Sequence, residues 1–140
     1  MLQLNDVGAK FGALPYVTAM TDVTGFGLLG HLSEVCEGSG VSAVVQADRV
    51  PRLSIVDQYV AQGSIPGGTH RNWDSYGHKI SQITDEQKAI LCDPQTSGGL
   101  LVVVEEASAN AFSEYARTLG FDLYPFGETI AQQEKLVTVE

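Results

Sequence analysis

The sequence predicts an α/β (α+β) sandwich in which helices pack on a mixed β-sheet. Three observations predict it: β-branched apolar runs at 41–47 and 100–104, amphipathic helical stretches between such runs, and glycine-rich turns at the joints. With 140 residues and 44% hydrophobic content, the chain fits a single domain, 1–140, with one sizeable core.

The elements follow in order. Leu2 to Leu14 can form a short helix, marginal unless it packs on something, and Pro15 closes it. Tyr16 to Met20 reads as a strand entering a loop at Asp22. Phe26, Leu28, Leu29, Leu32, Val35 and Cys36 then share one helical face, opposite His31, Ser33, Glu34 and Glu37, and Gly38 and Gly40 end that helix. The 41–47 strand and an amphipathic helix at Ile55–Ala61, closed by Gly63, repeat the pair. Residues 65–83 are loop-rich and too long for a plain connector, so a helical turn or a function is expected there. Thr84-Asp85-Glu86-Gln87 has the capping-box pattern for a helix running to about Leu91. The Asp93–Gly99 turn leads into Leu100–Val104, a strand expected to be buried on both faces. A helix at Ala107–Leu119 ends at Gly120, and two strands, 121–130 and 135–139, complete the chain.

Eight Lys and Arg against 17 Asp and Glu give a formal charge of −9, which disfavours nonspecific binding to nucleic acid or to anionic membranes. No apolar run approaches the roughly 20 residues that cross a bilayer, and the start lacks a secretory pattern, so a cytoplasmic location is expected. Cys36 and Cys92 are far apart in sequence without zinc-ligand spacing, which favours reduced thiols.

Thr21-Asp22-Val23-Thr24-Gly25-Phe26-Gly27 carries the strongest signal for a site. A carboxylate at a strand end suits Mg²⁺, Thr24 could cap the following helix, and Gly25 and Gly27 would let backbone approach a ligand. Asp22 could equally hold the turn by accepting backbone N–H bonds. Phe26 reads as a core anchor. Thr96, Ser97, Gly98 and Gly99 form either a tight turn or a phosphate-facing nest. No dinucleotide fingerprint or P-loop is present. His31, His70 and His78 read as surface or hydrogen-bonded residues, Arg71 as a partner for one of the many acids, and Cys92 as a structural thiol.

Three segments in register, TDVTGFGLLGHLSEV from Thr21, IPGGTHRNWDSYGH from Ile65 and LCDPQTSGGLL from Leu91, together resemble the carboxyl-terminal domain of selenophosphate synthetase, the selenide, water dikinase family. The first and third also resemble the wider aminoimidazole ribonucleotide synthetase-like superfamily. The resemblance runs from about Asn5 to Glu128 and on into the final strand. It implies a transferase, a kinase that uses Mg²⁺ and ATP to phosphorylate selenide, giving selenophosphate, AMP and orthophosphate for selenocysteine biosynthesis. It also implies a homodimer in the longer enzyme, with an amino-terminal domain that brings the catalytic Cys or selenocysteine, a Lys and further metal-binding Asp residues.

Asp22 maps onto the family's metal- and phosphate-binding Asp. Thr21, Asp22, Thr24, Gly25, Gly27, Thr96, Ser97, Gly98 and Gly99 are the expected nucleotide-binding residues, Asp22 is the expected metal ligand, and no catalytic residue is expected within 1–140. Residues 1–14 are then expected to be the remnant of an interdomain segment, with apolar surface exposed at Leu2, Leu4 and Phe11 where the other domain packs. The isolated domain is expected to be inactive. A stand-alone module of the same fold that binds a nucleotide or anion is the alternative, distinguished by micromolar affinity for Mg²⁺-ATP on its own.

Overall fold

The structure is a computed structural model that describes residues 4–140. Its helices are α1 (Gly8–Phe11), α2 (Gly27–Ser39), α3 (Val56–Ala61), α4 (Gly67–Tyr76), α5 (Asp85–Leu91) and α6 (Ala109–Thr118). Its strands are β1 (Val17–Asp22), β2 (Val41–Val45), β3 (Leu100–Val104), β4 (Gly127–Ala131) and β5 (Val137–Val139). The sheet is divided. β1 and β3 form an antiparallel pair, while β2 is central in a mixed sheet of three, antiparallel to β4 and parallel to β5.

Helix α2 lies against β1, β2 and β5 and so bridges the two sheets. Leu29, Leu32 and Cys36 project from it into a core shared with Val23, Ala43, Val45, Tyr76, Leu91, Leu101 and Val137. The spacing of these three residues is the helical stripe that the sequence predicts. A second core lies on the other face of the β1–β3 pair, where Phe11 and Phe112 meet with ring centroids 4.9 Å apart and Leu100, Val102 and Val104 pack partly buried. Both faces of β3 are therefore covered, yet only Leu101 is fully buried, because a two-stranded sheet leaves its margins open.

Several elements differ from the sequence expectation. β1 runs two residues further than expected, carrying Asp22 in register with Leu100. Residues 65–83 contain the ten-residue helix α4 rather than a single turn, entered at Pro66, whose extended backbone suits a helix start. The other face of α2 is buried at His31 and Ser33, because Tyr76 of α4 packs against Gly30, where a Cβ would stand only 2.8 Å from the tyrosine ring. Phe26 is 51% exposed and not a core anchor; it sits at the N-cap, ahead of the buried stripe. Of the two expected final strands, the first is confined to Gly127–Ala131.

The capping box on α5 forms as predicted: the Gln87 N–H donates to Thr84 Oγ1 at 3.1 Å, and the Thr84 N–H donates to Gln87 Oε1 at 2.9 Å. At the amino-terminal end, Leu4 is 73% exposed as expected, whereas Phe11 is only 2% exposed. The aromatic partner Phe112 of α6 accounts for that enclosure; Leu2 lies outside the described residues.

Candidate functional site

The three motif segments, 44 and 26 residues apart at their starts in a chain with no internal repeat, come together at one junction. The loop after β1 and the loop before β3 are laced by backbone bonds: Val23 N–H to Gly99 O (2.9 Å), Gly98 N–H to Val23 O (3.0 Å) and Gln95 N–H to Thr24 O (3.0 Å). Helix α4 lies against both. The Asn72 side-chain amide spends its two protons on Gly25 O and Cys92 O, each at 2.9 Å, and the Tyr76 hydroxyl donates to Phe26 O at 2.6 Å. Asn72 is buried, its bond to Cys92 O is shielded from water and its bond to Gly25 O partly so, and one residue ties both loops.

Close approach explains two of the glycines. Gly27 has φ +69°, and a Cβ there would stand 2.7 Å from the Cys92 carbonyl carbon; at Gly98 a Cβ would stand 2.6 Å from Val23 O. Both are needed for the chain to pack on itself. This corrects the expectation for Gly27, which is buried against Cys92, while Gly25 is exposed with open space around it.

Asp22 ends β1 with an exposed side chain that has no hydrogen-bond or ion-pair partner among the described residues. The alternative reading, in which it accepts turn N–H bonds, is therefore not the one adopted. Thr21 and Thr24 are half-buried, as is Gly99, and Thr96, Ser97 and Gly98 are exposed on the facing loop. Thr24 does not cap α2, whose N-cap has no side-chain bond. Its hydroxyl instead lies 3.1 Å from His31 Nε2, and the other ring nitrogen of His31 lies 3.3 Å from Glu34 Oε2.

The ionisable groups nearby are tuned by burial. Burial pushes the Asp93 carboxyl above the usual range while Gln95 donates to it at 2.6 Å. Burial also raises the Cys92 thiol and the Tyr76 phenol, which keeps both protonated and supports the reading of Cys92 as a structural thiol. Arg71 is exposed and forms no ion pair among the described residues, contrary to the expected acidic partner. His70 and His78 are exposed. Among the described residues no group of three or more His, Cys, Asp or Glu could hold a metal ion by itself.

Sequence reasoning missed Asn72 and Tyr76. Their spacing of four on a helix, next to a Pro-Gly-Gly start, was the available signal, but recognising it required knowing that residues 67–76 are helical. An open groove of about 480 Å³ is lined by Val23, Leu28, Tyr59, Ile90, Gln95 and Gly98 among others. It does not include Asp22. No described helix is long and apolar enough to cross a membrane.

Comparison with known proteins bears on all three segments at once. The family described as AIR synthase related protein, C-terminal domain, matches residues 2–140. A selenide, water dikinase of Haemophilus influenzae is 56% identical over 140 residues, covering 100% of this chain and 40% of that protein. Proteins of the same name from Sulfurimonas denitrificans and Pseudomonas putida are 55% and 56% identical over 139 residues, again covering 99% of this chain and 40% of theirs. The chain thus spans about 40% of the length of the curated relatives it matches.

Proposed function

The chain belongs to the AIR synthase related protein family, as its C-terminal domain, and on that premise we propose that it is the C-terminal domain of an ATP-dependent selenophosphate synthetase. The longer enzyme phosphorylates selenide to selenophosphate and releases AMP and orthophosphate. This domain supplies one wall of the Mg²⁺-ATP site, and an amino-terminal domain of the same polypeptide supplies the other, within a cytoplasmic homodimer. The identity of this chain to selenide, water dikinases over its whole length supports the reading. The two buried free cysteines are in keeping with a reducing compartment.

One structural observation carries it: three motif segments converge on a hydrogen-bonded junction that leaves the Asp22 carboxylate exposed and without a partner among the described residues. An unpartnered acid at a strand end is suited to Mg²⁺, which takes one or two carboxylates together with phosphate oxygens and water. The donor set fits as part of a site rather than a whole one, since no further acid of the described residues completes it. Asp22 would hold the ion, which when bound neutralises charge on the phosphates. Asn72 and Tyr76 keep the two loops at fixed separation, so the exposed Thr96 and Ser97 are presented on a preorganised wall. No nucleophile or general base in this chain is assigned to the reaction.

The test is turnover. The purified chain, incubated with selenide and Mg²⁺-ATP, is expected to form no AMP, whereas the full-length protein forms it and Asp22→Asn lowers that rate about 100-fold or more. Robust AMP formation by the chain alone would remove the shared-site proposal. Full activity of Asp22→Asn in the long protein would remove the role given to Asp22.

A further inference from the structure

Little of the uncovered apolar surface belongs to the amino-terminal end. Phe11 is enclosed by Phe112, and Leu4 is the one exposed large apolar side chain described there. Of the six exposed large apolar side chains among the described residues, three (Leu53, Ile55 and Tyr59) fall instead on the short segment that holds α3. Ile55 and Tyr59 are four residues apart, with the Tyr59 N–H donating to Ile55 O at 3.3 Å, so both emerge on one side of the helix. No residue of α3 is buried, and six residues make a marginal helix without packing. The charged residues of 50–66 are Arg52 and Asp57, which pair with each other at 2.9 Å, so the segment is neutral in a chain of charge −9. Exposed apolar side chains in a charge-depleted patch are the composition of an interface core.

The same segment lines the open groove of about 480 Å³ through Val56, Tyr59 and Val60. Val23, Gln95 and Gly98 line it too, and these belong to the motif loops. The Gly98 N–H donates to Val23 O and the Gln95 N–H to Thr24 O, each at 3.0 Å, and Val23 directly follows Asp22. The groove and the proposed wall of the Mg²⁺-ATP site thus have loops in common, so a domain that closes over one is brought up against the other.

We propose that α3 and the groove beside it are the docking surface for the amino-terminal domain of the longer polypeptide, which seats uncharged, apolar side chains there while it completes the Mg²⁺-ATP site. Length argues for that occupant: this chain covers 40% of the curated relatives, so well over half of such a polypeptide lies outside it. The proposal deepens the reading above and rests on it for the existence of that domain and for the site it completes. The exposure of α3 does not depend on that reading.

Amide hydrogen exchange tests it. In the full-length protein, α3 is expected to exchange at least about tenfold more slowly than in the 140-residue chain, with α4 protected in both as the sign of a folded domain. Tyr59→Glu in the full-length protein is expected to return α3 to fast exchange and to lower AMP formation about tenfold, with α4 still protected. Equally fast exchange of α3 in the chain and in the full-length parent overturns the proposal, whereas the Mg²⁺-ATP reading is tested separately by Asp22→Asn. Protection that Tyr59→Glu does not relieve also overturns it. So does protection of α3 in the chain alone that grows with concentration, since the occupant is then a second copy. If α3 is protected as expected but Asp22→Asn keeps full activity, the docking surface stands and the role given to Asp22 falls.

Discussion

The junction of the motif loops and the segment 50–64 around α3 are both short, turn-bounded pieces of chain, yet they are held in opposite ways. At the junction, the amide of buried Asn72 and the phenol of buried Tyr76 reach backbone carbonyls across distances of 20 to 50 residues in sequence. Around α3, no helical residue is buried, and Leu53, Ile55 and Tyr59 are 75%, 48% and 49% exposed. Among the described residues, the only side-chain hydrogen bonding or ion pairing there is that of Arg52 with Asp57, 2.9 Å apart at the surface, where such pairs contribute little. The first region combines buried core side chains with long-range hydrogen bonds, whereas the second has neither. The lesson is that loop geometry is fixed where long-range hydrogen bonds reach it, since they are directional and apolar contacts are not.

Asn72→Asp is the largest expected break in that comparison. The carboxylate cannot donate to Gly25 O or Cys92 O and would be buried facing both, so a loss of about 3 kcal/mol in unfolding free energy is expected by urea titration. Amide exchange at Gln95 and Gly98 should speed up in the same variant, because their bonds to Thr24 O and Val23 O lace the loops that Asn72 clamps. A change below about 0.5 kcal/mol would mean that the lacing alone fixes the junction.

A smaller effect, confined to one edge of the junction, concerns Asp93. Burial raises its pKa in the folded chain, so the proton is held more tightly in the folded state than in the unfolded one. Its contribution to stability is fully present below the ordinary carboxylate range and is lost as pH rises through the raised folded value. Asp93→Asn, which can still accept from Gln95, is therefore expected to be more stable than the parent at pH 7, with the advantage shrinking towards pH 3. Urea midpoints of both proteins across that range check the sign; an advantage that grows on acidification would contradict it.

How far the sequence foretells this structure depends on whether the signal is local. The α5 capping box, the buried stripe of α2 and the strands β2 and β3 were legible because each is written within about ten residues as a cap or a period. Asp22 was legible as a candidate for the same reason. The direction of the Asn72 amide, the turn of Thr24 towards His31 and the enclosure of Phe11 were not, since each depends on an element distant in sequence. Phe26 shows the limit of periodicity: it lies in phase with the α2 stripe but at the N-cap, where the core no longer reaches.

The smallest expected effect completes the comparison from the other side. Leu53→Ser places a polar residue at a position that is already 75% exposed and outside any buried cluster, so the change in unfolding free energy should stay within about 0.5 kcal/mol. Replacing an apolar side chain in a core of comparable size would cost several times more. The distinction matters because Val56 and Tyr59 of the same segment help to line the open groove. If the segment is as loosely held as its exposure indicates, hydrogen exchange across α3 should be fast in the parent and unchanged in Leu53→Ser, while α4, ten-residue partner of both motif loops, stays protected. Slow exchange in α3 together with a loss above 1 kcal/mol on Leu53→Ser would show that apolar contacts hold this region after all, and the contrast with the hydrogen-bonded junction would disappear.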